Sequence, residues 1–89
     1  MWILITIILE LSSANSYSLN YEKPILHKTY QGCMNNMDAI FLELKKLKAN
    51  YPIELSFEVN LDNIKYIKYS YKPDYTKPNV EKYYHCKKL

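Results

Sequence analysis

The most regular alternation of apolar and polar residues lies between residues 53 and 59. Ile53, Leu55, Phe57 and Val59 fall on one side of an extended chain, with Glu54, Ser56 and Glu58 on the other. This pattern predicts a strand with one buried face. The turn-forming residues 60–64 separate it from a second predicted strand at residues 65–72, rich in Tyr and Ile. In the hairpin register that sets apolar against apolar, Phe57 faces Ile67, Leu55 faces Tyr69 and Ile53 faces Tyr71.

The residues before this hairpin repeat their apolar positions at helical spacing. The apolar stripe consists of Met37, Ile40, Phe41, Leu44 and Leu47. It predicts an amphipathic helix over residues 35–49, capped by Asn35, with Asp38 near its positive end. Three lysines crowd the last turn, where cations are favoured, and Pro52 stops the helix.

The remaining segments are shorter. Residues 80–86 are aromatic and predict a third strand, after a loop at 73–79 that contains two prolines. Residues 25–30 fit an edge strand or a turn of helix, and the strand is preferred. The sequence therefore predicts an α+β fold, in which one amphipathic helix packs on a small antiparallel sheet of three to four strands.

The N-terminus is an eight-residue apolar run at residues 2–9, followed by small residues. This resembles a secretory signal peptide, with cleavage after Ala14 or Ser16, and predicts a mature single domain at 17–89. The absence of a basic residue before the run and the acidic Glu10 depart from that pattern. The alternatives are an uncleaved anchor or a buried N-terminal strand. As a helix the run rises only about 12 Å, too short for a hydrocarbon core of about 30 Å.

The only two cysteines are Cys33 and Cys86. In an exported chain such a pair is most simply a disulfide, so the sequence predicts a Cys33–Cys86 bridge and a secreted or periplasmic location. The chain-entropy model makes a loop of this length worth roughly 4 kcal/mol.

Composition narrows the function classes. The 89 residues include twelve lysines, no arginine and nine acids, for a net charge of +3. Such a charge attracts anionic partners weakly, and the lack of Arg removes the residue best suited to bidentate recognition of phosphate or guanine. A single glycine leaves no Gly-rich phosphate loop.

Tyrosine is the distinctive residue, with ten copies, several interleaved with lysine near the C-terminus. These rings fit three interpretations: core packing, a protein interface, or a surface for an anionic polymer. A polymer site, for glycan or nucleic acid along residues 65–72, requires Lys65, Lys68, Lys72 and Lys82 to converge. A protein site requires exposed tyrosines without clustered lysines. The candidate binding surface comprises Tyr66, Lys68, Lys72, Tyr75, Lys82 and Tyr83.

Catalytic and metal chemistry are disfavoured. His85 and Cys86 are adjacent, so on a strand they point to opposite faces and do not share one ion, and His27 and Cys33 lack ligand spacing. A Cys–His nucleophile needs a free thiolate. Glu54 and Glu58 would lie about 13 Å apart on a strand, beyond the spacing of glycosidase acids. We therefore expect no enzyme activity, metal or cofactor.

Together these features predict a small exported, non-catalytic binding or accessory protein. Its tyrosine- and lysine-bearing surface would act on an envelope or extracellular protein, and the mature form would have no stable membrane span. The alternative is a binder of anionic polymer. The sequence names neither the partner nor the oligomeric state.

Overall fold

The computed structural model describes residues 1–11, 17–72 and 79–89. Along the chain, the described elements are β1 (Trp2–Leu11), β2 (Tyr17–Tyr21), β3 (Ile25–His27), α1 (Tyr30–Lys48), β4 (Glu54–Val59), β5 (Lys65–Tyr71) and β6 (Val80–Lys88). The α+β class is confirmed. The sheet, however, has six strands rather than three to four.

The N-terminal apolar run forms an interior strand of this sheet. The strand order is β2-β1-β6-β5-β4, and β3 pairs with β1 near its start. β1 is antiparallel to β6 from Trp2, opposite Lys88, to Glu10, opposite Val80. Its other edge pairs with β3 and then with β2. The segment that resembles the core of a leader is therefore an interior strand of the sheet, paired along both of its edges.

The low strand count predicted from the sequence has a physical cause. An interior strand between two partners can carry apolar side chains on both faces, as β1 does, and a leader core is also a continuous apolar run. Periodicity therefore does not separate the two. The predicted cleavage sites, Ala14 and Ser16, lie outside the described residues, and removal of residues 1–16 remains a prediction.

Helix α1 begins at Tyr30, five residues before the predicted start, so the assignment of Asn35 as its cap was wrong. Thr29 is the cap, and its hydroxyl accepts a hydrogen bond of 3.0 Å from the backbone N–H of Gly32. Asn35 instead accepts from the Gln31 side chain at 2.8 Å, and Asp38 lies in the third turn. The earlier start extends the buried stripe to Cys33, a position that the spacing of the larger apolar residues did not include. The predicted lysine-rich last turn is confirmed.

Replacing the cap provides a test of where the helix begins. We expect Thr29→Ala to lower the free energy of unfolding by about 1 kcal/mol, because the N–H of Gly32 loses its acceptor. Asn35→Ala, the matched control, should change it by only a few tenths of a kcal/mol, since its bond is exposed. Urea unfolding followed by circular dichroism measures both. A larger loss for Asn35→Ala would place the helix start where the sequence alone predicts it.

The core lies between α1 and one face of the sheet, which we call the inner face. Its fully buried side chains are Leu4, Cys33, Met37 and Ile67. The predicted Cys33–Cys86 disulfide is confirmed, with Cα atoms 6.1 Å apart. It joins the first turn of α1 to β6 directly opposite Leu4 in the ladder. The disulfide and strand β1 therefore stabilise the same part of the core.

Two further contacts fix the ends of this core. The ring of Trp2, at the start of β1, meets the ring of Tyr30 edge-on with centroids 4.7 Å apart. In the β4–β5 hairpin the predicted pairs Phe57–Ile67 and Leu55–Tyr69 are confirmed. Phe57 also packs edge-on against Phe41 of α1 at 5.4 Å. The helix is thus held to the inner face at its first residue and near its middle.

Candidate functional site on the outer face of the sheet

The opposite face of the sheet, which we call the outer face, carries the candidate site. Helix α1 packs on the inner face, and the described ranges place no second layer over the outer one. Cross-strand partners point to the same side of a sheet, so the registers assign the side chains to faces. On this basis Tyr66, Lys68 and Tyr83 share the outer face with alternate residues of β1.

A shallow cleft of about 350 Å³ lies on the outer face, where the β4–β5 turn approaches β6 and β1. The residues that line it are Ile7, Asn60, Ile64, Tyr66, Tyr83 and His85. The rings of Tyr66 and Tyr83 form its wall, with centroids 6.2 Å apart. The turn itself is fixed by Asn60, whose side-chain oxygen accepts from the N–H groups of Asp62 and Ile64. The cleft is thus an apolar and aromatic surface on a rigid hairpin.

Both phenols remain neutral far above physiological pH. Burial, together with the hydrogen bond of 2.8 Å that its hydroxyl donates to Glu81, raises the pKa of Tyr83 to about 12. Burial raises the pKa of Tyr66 as well, helped by the carboxylate of Glu58 on the neighbouring strand. The Glu81 carboxylate orients the Tyr83 ring, and neither phenol supplies a phenolate nucleophile near neutral pH.

His85 lies beside the two rings, opposite Tyr66 in the ladder. Burial lowers the pKa of His85, and the positive charge of Lys87 lowers it further. The imidazole is therefore neutral at pH 7 and adds to the weakly polar character of the cleft.

The lowered pKa of His85 predicts a pH dependence of stability. The unfolded chain binds a proton near pH 6.5 and the folded chain only at lower pH, so the stabilisation is complete above pH 6.5. It is lost as the pH falls through the folded pKa. We expect wild type to lose more free energy of unfolding between pH 7.5 and 5 than His85→Gln does, as measured by urea unfolding at both pH values. Equal losses in the two proteins would contradict the assignment.

The structure distributes the sequence-predicted surface residues over several places. Lys68 joins Tyr66 and Tyr83 on the outer face, opposite Tyr83 in the ladder. Lys82 lies on the inner side, where its ammonium is 3.3 Å from the carboxylate of Glu22. Lys72 lies near the C-terminal end of α1. Tyr75 lies outside the described residues.

The positive charges therefore do not converge. Lys65 lines a cleft on the helix side of the sheet together with Tyr30 and Met34. With Lys82 also on that side and Lys72 by the helix end, only Lys68 of these four lysines borders the two rings. Among the described residues, these four lysines therefore do not form the basic track along which a polyanion binds.

The cysteines and histidines do not form a redox or metal cluster in the described part of the chain. Both sulfurs are joined in the bridge, so neither is available as a thiolate ligand or nucleophile in this structure. The ring of His27 lies 3.0 Å from the side-chain nitrogen of Asn36. His85 points to the outer face and Cys86 to the inner face, as the alternation of a strand requires.

Sequence reasoning did not include Ile7, Asn60, Ile64 and His85 in the binding surface. Ile7 falls in the predicted leader, and the sequence suggests His85 only as a metal ligand or as the partner of a catalytic thiolate. Ile64 and Asn60 were interpreted as turn residues. Their only signal was indirect, because Asn60 and Ile64 flank the turn that brings the two strands together.

Comparisons with protein families, with curated proteins and with solved structures found no match to this chain. Among the residues that the structure describes, no helix is both long and apolar enough to cross a membrane.

Proposed function

We propose that the protein is a small exported, non-catalytic binding module that acts on an envelope or extracellular protein through the outer face of its sheet. The observation that carries this proposal is the pair of rings, Tyr66 and Tyr83, held beside an apolar cleft on a face over which the described residues place no second layer. Tyrosine pairs on rigid strands are typical anchors of protein interfaces, since they bury a large area at a small entropy cost.

The surroundings of the rings favour a protein over a polyanion. Lys68 is accompanied on this face by the carboxylates of Glu58 and Glu81, which repel a phosphate or sulfate backbone. The cleft is lined mainly by Ile and Tyr side chains and contains a neutral imidazole. Such a surface complements an apolar or aromatic side chain of a protein partner.

The disulfide supports the extracytoplasmic location that this proposal assumes. A single bridge between a chain's only two cysteines is typical of proteins that fold in an oxidising environment, outside the cell or in a periplasm. Export through the N-terminal segment is the route that the sequence predicts.

Site-specific cross-linking tests the proposal. A photo-reactive amino acid replaces Tyr66 in one variant and Tyr51, an exposed ring on the helix side, in the matched control. Each variant is returned to the extracytoplasmic fraction of the producing cells. We expect a protein adduct of defined mass from position 66, lost when Tyr83→Ala is added, and none from position 51. Equal adducts from both positions, or none from position 66, would contradict a partner at this face.

The polymer alternative gives a different result in a parallel measurement. If single-stranded DNA or heparin binds the chain, and the affinity falls steeply with salt, the face is a polyanion site. The proposal expects weak binding to both polymers at physiological salt, and no dependence on Tyr66 or Tyr83.

A further inference from the structure

The part of the outer face farthest from β4 is a continuous apolar surface. It is formed by Ile3, Ile5, Ile7, Leu9, Tyr17, Leu19, Tyr21 and Leu26, and we call it the β1–β3 face. Leu19 and Leu26 are 52% and 60% exposed, although they lie over a sheet rather than on a loop. Scattered apolar residues are normal on a surface, but a contiguous strip along adjacent strands marks an interface.

The registers arrange the outer face in rows that run across the strands; four of them are numbered here, and a fifth, Leu11 with Tyr17, lies beyond row 4. Row 1 is Leu26, Ile3 and Lys87; row 2 is Ile5, His85, Tyr66 and Glu58; row 3 is Tyr21, Ile7, Tyr83, Lys68 and Ser56; row 4 is Leu19, Leu9, Glu81, Ser70 and Glu54. β1 contributes an apolar side chain to each of the four rows, and β3 adds one to row 1 and β2 one each to rows 3 and 4. The charged side chains of β6 lie at opposite ends, in rows 1 and 4.

We propose that a second copy of this chain covers the outer face. The two sheets pack face to face about a two-fold axis that runs across the strands between rows 2 and 3. This axis exchanges row 1 with row 4 and row 2 with row 3, so Ile3 lies over the partner's Leu9 and Ile5 over the partner's Ile7. Leu26 lies over the partner's Leu19. Closed two-fold dimers of this kind are the commonest assemblies of identical chains.

The charges select this axis over the other one that brings β1 onto β1. Across the strands, Lys87 faces the partner's Glu81, and symmetry makes the pair twice. With the axis along β1, Lys87 would instead face the partner's Leu26, and the ammonium would be desolvated without a counter-charge. Of these two arrangements, only the first makes the surface self-complementary, as an isologous interface requires.

The area is sufficient for a dimer of modest affinity. Ten residues of β1 extend about 33 Å, and four neighbouring strands span about 19 Å. Each copy therefore contributes roughly 600 Å², or about 1,200 Å² in total, at the lower limit of stable interfaces. We expect a dimer that dissociates on dilution. Because the face includes Tyr66 and Tyr83, self-association competes with the protein partner of the proposed function, which would bind the monomer.

The inference goes beyond the proposed function and is tested without any foreign protein. Light scattering coupled to size exclusion is applied to the 89-residue chain over a range of concentrations. We expect a mass of twice 10.6 kDa at high concentration for wild type. Leu19→Lys should raise the dissociation constant by at least tenfold, whereas Leu42→Lys should not, because Leu42 is a 59% exposed leucine of α1. A monomeric wild type at every concentration, or a Leu19→Lys variant that dimerises like wild type, would overturn the proposal.

A charge reversal tests the axis itself. Lys87→Glu sets like charges over one another in two symmetric places and should weaken the dimer by about tenfold. The double variant Lys87→Glu/Glu81→Lys restores the opposite charges and should recover the wild-type dissociation constant. Glu81 and Lys87 lie about 20 Å apart on one strand, too far to interact within one copy. A recovery of the dissociation constant must therefore come from contact between the two copies. Failure of the double variant to recover would reject this axis, and a result against the dimer leaves the cross-linking test of the proposed function intact.

Discussion

Reduction of the Cys33–Cys86 disulfide is expected to remove about half of the stability of the protein. The bridge spans 53 residues of sequence, and the chain-entropy model gives such a loop about 4 kcal/mol. A domain of this size has a total free energy of unfolding of roughly 5 to 10 kcal/mol. The remaining stability is that of a helix held on the sheet by packing alone.

The measurement is urea unfolding by circular dichroism with and without a reducing agent. We expect the midpoint to fall by roughly half on reduction, at a similar slope, if unfolding stays two-state. The Cys33→Ala/Cys86→Ala double variant without reductant should behave like the reduced wild type, which separates the bridge from side effects of the reductant. An unchanged midpoint in both tests would show that the bridge does not hold the fold.

The second large effect concerns Leu4 of the interior strand β1. Leu4 is 1% exposed, lies opposite Cys86 and belongs to the core cluster. We expect Leu4→Ala to lower the free energy of unfolding by about 3 kcal/mol, because it leaves a cavity between β6 and α1. Thermal and urea unfolding of the chain that contains residues 1–89 measure the loss.

The matched control for this substitution is Leu42→Ala, the same change at the exposed position of α1. It should alter the free energy of unfolding by about 0.5 kcal/mol or less. If Leu4→Ala is as mild as its control, residues 2–11 do not form an interior strand of the sheet. The comparison therefore tests the placement of β1 directly.

The hairpin was predictable because local and tertiary patterns agree there. The alternation from Leu55 to Phe57 specifies a buried face, and a one-residue slip would have set Leu55 against Lys68, so the register followed from the sequence. The disulfide followed from counting, since two cysteines allow a single pairing. Both are features in which the sequence offers few alternatives.

The N-terminal half was less predictable for physical reasons. A strand buried between two neighbours lacks the polar alternation that identifies a strand, so Ile3–Leu9 of β1 matched a leader core equally well. Thr29 lacks the usual signals of a helix cap. No acidic residue follows it in the first turn, and the stripe of larger apolar residues begins only at Met37. Because β1 resembles a leader, its residue Ile7 could not be predicted as part of the outer-face site.

The two-residue period of a strand explains which residues of the predicted binding surface share the outer face and which do not. Tyr66 and Lys68 are two residues apart on β5 and must share a face, and Tyr83 follows from the pairing of β5 with β6. Lys82 is adjacent to Tyr83, so it necessarily points to the other face. The faces of Tyr83 and Lys82 follow once the register between β6 and β5 is known. The short aromatic segment at residues 80–86 does not specify that register from sequence alone.

The intact mass of the native protein, taken from the cells that produce it and alkylated without reduction, tests the central claim most directly. The claim is an exported chain whose two cysteines are joined. It predicts recovery outside the cytoplasm, no alkylated cysteine, and a mass lower than that of the reduced chain by two hydrogen atoms. A mass that also lacks residues 1–14 or 1–16 would confirm cleavage of the leader and overturn both the dimer and the outer-face cleft, because Ile7 of β1 belongs to each of them. Recovery from the cytoplasm with both cysteines alkylated would contradict the claim.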